Sequence, residues 1–90
     1  MEGDKDGALA DYDHAIELDL KNANAYNKRG ELKRAKGDLE GALADFTAAI
    51  ELDSNMAGVY KNRGEIKQAE GNKVGAAEDL KRAEELTSGD

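Results

Sequence analysis

The chain has 90 residues, a formal net charge of −7, and neither cysteine nor proline, which bounds it to one small domain. Without cysteine there can be no disulfide framework, thiolate zinc site or cysteine nucleophile. The surplus of negative charge repels phosphate backbones and anionic lipid, so neither nucleic acid nor membrane is expected as a partner.

Taken in order, the chain opens on Met1-Glu2-Gly3-Asp4, which lacks the basic-then-apolar order of a secretory signal. No apolar run approaches the roughly 18 residues of a membrane span. The compartment is therefore unassigned, with the cytoplasm as default. Gly3-Asp4 reads as a break, followed by a helix through Gly7-Ala8-Leu9-Ala10-Asp11 and Ala15-Ile16-Glu17-Leu18-Asp19. A second helix carries Ala25, Tyr26, Leu32 and Ala35 at helical spacing. Gly37-Asp38 breaks the pattern, and Leu39, Ala42, Leu43, Phe46, Ala49 and Ile50 mark a third helix. Asp53-Ser54-Asn55 supplies a stop and a side-chain cap for the next helix. The order then repeats through Tyr60, Gly64, the break at Gly71-Asn72, Ala76, Leu80 and Ala83.

Laid on each other, 23–56 and 57–90 agree at roughly 15 of 34 positions at one fixed offset. The leading segment joins half a unit in. The chain thus divides into a half unit, 1–22, holding a second helix only, and two full helical hairpins, 23–56 and 57–90, in one continuous domain. Connections this short make successive helices antiparallel neighbours. Leu, Ile, Val and Phe supply only about 17% of the residues, a level associated with disorder when net charge is high. A packed fold must therefore use small residues. Gly30 and Gly64, with Ala8, Ala42, Ala76, Ala15, Ala49 and Ala83, allow helix axes to approach at the short end of the roughly 8–10 Å range. Tyr12, Phe46 and Leu80 are the larger knobs between the alanines.

Tyr26, Gly30, Ala42, Phe46 and Ala49, then Tyr60, Gly64, Ala76, Leu80 and Ala83, resemble the pattern of the tetratricopeptide repeat family. The resemblance covers essentially the whole chain. It implies an all-α fold of five helices, antiparallel hairpins stacked as a short right-handed α-solenoid. The pattern's leucine and second aromatic are replaced by Arg29 or Arg63 and by Lys33 or Lys67. Its closing proline is Leu20, Ser54 or Ser88. A missing proline is expected to loosen the turn between units and could let adjacent helices run together.

The family resemblance further implies a protein–protein interaction scaffold with a concave groove lined by the first helix of each unit. The groove candidates are Asn24, Asn27, Lys28, Glu31, Arg34, Lys61, Asn62, Glu65 and Gln68, polar and mixed in sign, suited to a peptide backbone. The plainer reading is a solvated helix face. Some family members clamp a C-terminal carboxylate across three units. Of that set only Asn62 is matched, Glu31 and Glu65 intrude, and no third first helix follows. Basic or neutral partners remain open.

Arg29 and Arg63 recur in phase with Asp11, Asp45 and Asp79. In-phase recurrence of both signs suggests structural pairing between helices, with ligand binding as the alternative. Leu9, Ile16 and Leu20 at one end, and Val74, Ala77 and Leu86 at the other, are candidates for exposed apolar surface and self-association into a homo-oligomer. The competing reading is a piece of a longer array. Nothing points to an enzyme or a cofactor. His14, the sole histidine, is expected at the surface beside Asp13, no nucleophile, base and orienting acid share a plausible spacing, and Asp11-Tyr12-Asp13 lacks the rest of a calcium loop.

Overall fold

The computed structural model describes residues 3–88, so the expected unit limits at Met1 and Asp90 lie outside the described residues. Five helices follow in order: α1 Gly3–Leu18, α2 Ala23–Ala35, α3 Leu39–Leu52, α4 Ala57–Ala69 and α5 Lys73–Ser88. Helix α2 packs along α3, and α4 along α5, as two antiparallel hairpins; α1 lies on α2, and α3 on α4, less extensively. No strand occurs among the described residues.

Within each hairpin the turn is a left-handed glycine. Gly37 and Gly71, 34 residues apart, have φ of +91° and +89°, values an L side chain adopts only with strain. The next residue then caps the following helix. Asp38 Oδ1 accepts from Gly41 N at 2.9 Å, and Asn72 Oδ1 accepts from Gly75 N at 2.9 Å, each satisfying a free helix-terminal amide.

Two expectations for the termini are corrected. Gly3-Asp4 is no break, because α1 begins at Gly3; an acidic residue in a first turn is favoured by the helix dipole. The segment 53–55 does not cap α4. Its N-cap is Met56, without a side-chain bond, while Asp53 Oδ1 turns inward to accept from Asn55 N at 3.1 Å, a local Asx turn. The side-chain cap occurs one unit earlier, where Asn22 Oδ1 accepts from Ala25 N at 3.0 Å.

The helices do not run together where the proline is missing. Tyr60 Oη donates to the carbonyl of Ser54 at 3.1 Å, fixing the connection between α3 and α4 at the residue that replaces the proline.

The core forms where the two hairpins meet: Ala42, Phe46, Ala49, Val59 and Ile66, flanked by Ala23, Tyr26, Leu39, Leu43, Ile50 and Met56. Gly30 explains the shortage of large residues. A Cβ there would lie 2.7 Å from Phe46 Cε1, and one on Gly64 would lie 3.1 Å from Leu80 Cγ. The ring takes the space a side chain would need, so α2 and α3 close onto each other.

Candidate functional site

The arginines that replace the expected leucine are structural. Arg29 Nε donates to Asp45 Oδ2 at 2.8 Å and Nη2 to Asp45 Oδ1 at 2.7 Å. Arg63 makes the same fork with Asp79, at 2.8 Å on both arms. Lys33 and Lys67 add a second cation to each carboxylate, at 3.3 and 3.2 Å. Arg29 also stacks over Tyr26, and Arg63 over Tyr60, at 5.5 and 6.0 Å from the ring centroids. The replacements at four positions thus form one repeated device: Arg and Lys from a first helix neutralise a buried Asp of the second.

Asp45 and Asp79 are both buried. For Asp79, burial pushes the carboxyl up, but the hydrogen bonds from Arg63 and Lys67 outweigh it and hold the group below its ordinary value of 3.8. Hydrogen bonding to Asp45 raises Arg29, with burial opposing and Asp13 assisting, and hydrogen bonding to Asp79 likewise raises Arg63.

The third partner differs from the expected one. Arg29 Nη1 reaches back to Asp13 Oδ1 at 2.8 Å, whereas Asp11 is exposed. Its counterpart contact is Arg63 Nη1 to Thr47 Oγ1 at 3.3 Å, and Thr47 stands 34 residues after Asp13. Position 13, two residues beyond 11, is on the side of α1 that faces α2.

Among the groove candidates, five are joined across α2 and α4. Asn62 Nδ2 donates to Glu31 Oε2 at 3.1 Å and to Asn27 Oδ1 at 3.4 Å. Arg34 Nη1 donates to Glu65 Oε1 at 3.0 Å and lies 3.5 Å from the carbonyl of Asn62. Asn27 is therefore not displayed: it is 8% exposed and serves as an acceptor within this ladder. Asn24, Lys28, Lys61, Glu65 and Gln68 are exposed, and Lys28 Nζ lies 3.8 Å from Glu31.

A cleft of about 230 Å³ opens beside this ladder, lined by Ala8, Tyr12 and Leu32 with Lys28 and Glu31. Ala8, Tyr12 and Leu32 were not among the groove candidates. Tyr12 stands in phase with Phe46 and Leu80, a signal that marks it as a packing knob; nothing in the sequence tells that its surroundings stay open.

Of the self-association candidates, Ile16 is corrected: it is 6% exposed and belongs to the buried set, on the α1 side that also carries Tyr12 and Asp13. Leu9 and Leu86 are half-buried and Ala77 is exposed. Leu20 and Val74 are 68% and 73% exposed, as is Leu18 at 75%, a residue not singled out in advance. His14 is exposed, 3.8 Å from Glu17. Among the described residues, no group of three or more potential metal ligands converges, and no helix is long and apolar enough to cross a membrane.

The tetratricopeptide repeat family model matches residues 23–56. No curated protein matches the chain. Two crystal structures of MamA superpose with TM-scores of 0.90 and 0.83, at 24% identity in each case; they cover 94% and 93% of this chain and 50% and 46% of theirs. The first tetratricopeptide domain of Spaghetti (RPAP3), bound to the HSP90 peptide SRMEEVD, superposes with a TM-score of 0.91 at 22% identity, covering 99% of this chain and 71% of that one. The chain thus spans about half the length of the MamA chains. At these identities the likeness is one of fold.

Proposed function

Residues 23–56 are a tetratricopeptide repeat within a five-helix stack, and from that premise we propose that the chain is a protein-interaction scaffold that binds an extended peptide along the face made by α2 and α4. The observation that carries this reading is the ladder from Asn27 and Glu31 through Asn62, and from Arg34 to Glu65, beside the exposed Asn24, Lys28, Lys61 and Gln68. Paired polar side chains held in fixed geometry lose little entropy when they hydrogen-bond a peptide backbone. The cleft at Ala8, Tyr12 and Leu32 offers an adjoining place for one apolar side chain.

That the Spaghetti domain binds the HSP90 peptide SRMEEVD supports peptide binding as a use of this fold. The peptide proposed here differs in charge. Glu31 and Glu65 lie in the groove and the chain carries −7 overall, so a neutral or basic segment is favoured.

Peptides selected from a random displayed library should bind the wild-type chain, and Lys28→Glu or Lys61→Glu should change their affinity by about tenfold. Light scattering should show the same oligomeric state throughout. Equal affinity in wild type and both variants would overturn the groove as the binding face.

A further inference from the structure

The chain contains the same groove twice, and the first copy shows what fills it. Between α2 and α3, Ala23, Phe46 and Ala49 receive α4, whose Val59 and Ile66 are 1% and 2% exposed in the shared core. Thirty-four residues later, Ala57, Leu80 and Ala83 stand in the corresponding places on α4 and α5. There they line a cleft of about 420 Å³, and a second of about 240 Å³, walled by Ala76 and Ala77, meets it at Leu80.

The differences between the two copies describe the occupant. Leu80 replaces Phe46 and Ala77 replaces Leu43, so the later groove has smaller walls and accepts larger side chains than Val59. Glu84, which lines the 420 Å³ cleft, stands where Ile50 packs against the core, so the margin favours a basic side chain, as does the charge of the whole chain.

A second copy does not supply such a helix. Its α2 already lies between α1 and α3, and its α4 between α3 and α5. End-to-end stacking would bring α1 against α5, two helices of the second kind, where the filled groove holds one of the first kind.

We propose that the α4–α5 groove docks an amphipathic helix of a partner protein, apolar at two positions seven residues apart and basic at its edge. This surface is separate from the α2–α4 peptide face, with Lys61 at their common border.

The probe is a fluorescent peptide of residues 56–69 carrying Val59→Leu, titrated into the intact chain and read by anisotropy. This peptide has Lys61, Arg63 and Lys67 against Glu65, so it is basic and amphipathic. Saturable binding is expected. Ala83→Arg and Thr87→Arg should each weaken it by about tenfold or more, and Glu40→Lys, on the exposed surface of α3, should leave it unchanged. Thr87 is exposed, so its variant remains informative if Ala83→Arg unfolds by circular dichroism. An Ile66→Asp peptide should not bind. Three results would each overturn the proposal: no saturation at about 1 mM; binding indifferent to both arginine variants; or a dimer of the chain alone, by sedimentation equilibrium, that Ala83→Arg abolishes, which would make a second copy the occupant.

Discussion

Arg63 grips Asp79 with both arms of its guanidinium, Nε to Oδ2 and Nη2 to Oδ1, each at 2.8 Å. Asp79 is 5% exposed, so the arginine is what makes a charged group tolerable between α4 and α5. Breaking a buried pair from one side costs more than the pair is worth against apolar replacements, because the remaining charge stays buried. Arg63→Met should therefore destabilise the chain by about 3 kcal/mol, a fall in melting temperature of more than about 10 °C. An unchanged melting temperature would show that Lys67 alone compensates Asp79.

The same pair gives stability a pH dependence. Asp79 is held below its ordinary value in the folded chain, by Arg63 and Lys67 against the opposing effect of burial. Its contribution is present above the unfolded value near 3.8 and is lost as pH falls through the lower folded value. Urea midpoints of wild type and Asp79→Asn should therefore differ most near neutrality and converge below about pH 3. A gap that stays constant down to acid pH would contradict the charged pairing.

Gly30 and Gly64 separate two effects of an added methyl group. Alanine favours a helix by about 1 kcal/mol over glycine, but at Gly30 its Cβ would lie 2.7 Å from the buried Phe46 ring. Gly30→Ala should be net destabilising by about 1–2 kcal/mol, and Gly64→Ala, which meets Leu80 at 3.1 Å, less so. Phe46→Leu should reduce the cost of Gly30→Ala in a double-mutant cycle by denaturant unfolding. Additive effects would mean that the ring is not the obstruction.

Tyr60→Phe tests the connection that lacks proline. Removing the hydroxyl that donates to Ser54 O should cost about 1 kcal/mol. Hydrogen exchange should rise at 53–56 more than in the middle of α3. A uniform change would place the loss elsewhere.

The architecture was legible because it is written twice. An offset of 34 residues, glycines at the turns and alanines on the helix faces specify antiparallel hairpins without any need for three-dimensional information. The recurrence of Arg29 and Arg63 with Asp45 and Asp79 also disclosed the ion pairs.

What periodicity does not contain is the tilt of one hairpin on the next. That tilt selects Asp13 over Asp11 as the third partner of Arg29, turns Ile16 inward, and buries Asn27 as an acceptor for Asn62. A polar residue on a first helix reads as solvent-facing until its neighbour is placed. Likewise Met56 is the N-cap of α4 although Asn22 provides a side-chain cap at the same place one unit earlier. Substitution between repeats hides the difference.

The most direct measurement for the central claim is chemical-shift mapping of the isotope-labelled chain titrated with a library-selected peptide. The account predicts that the largest perturbations fall on Asn24, Lys28, Glu31, Lys61, Asn62 and Gln68. Perturbations confined to the exposed surface of α3 and the loops, with those six unmoved, would contradict it.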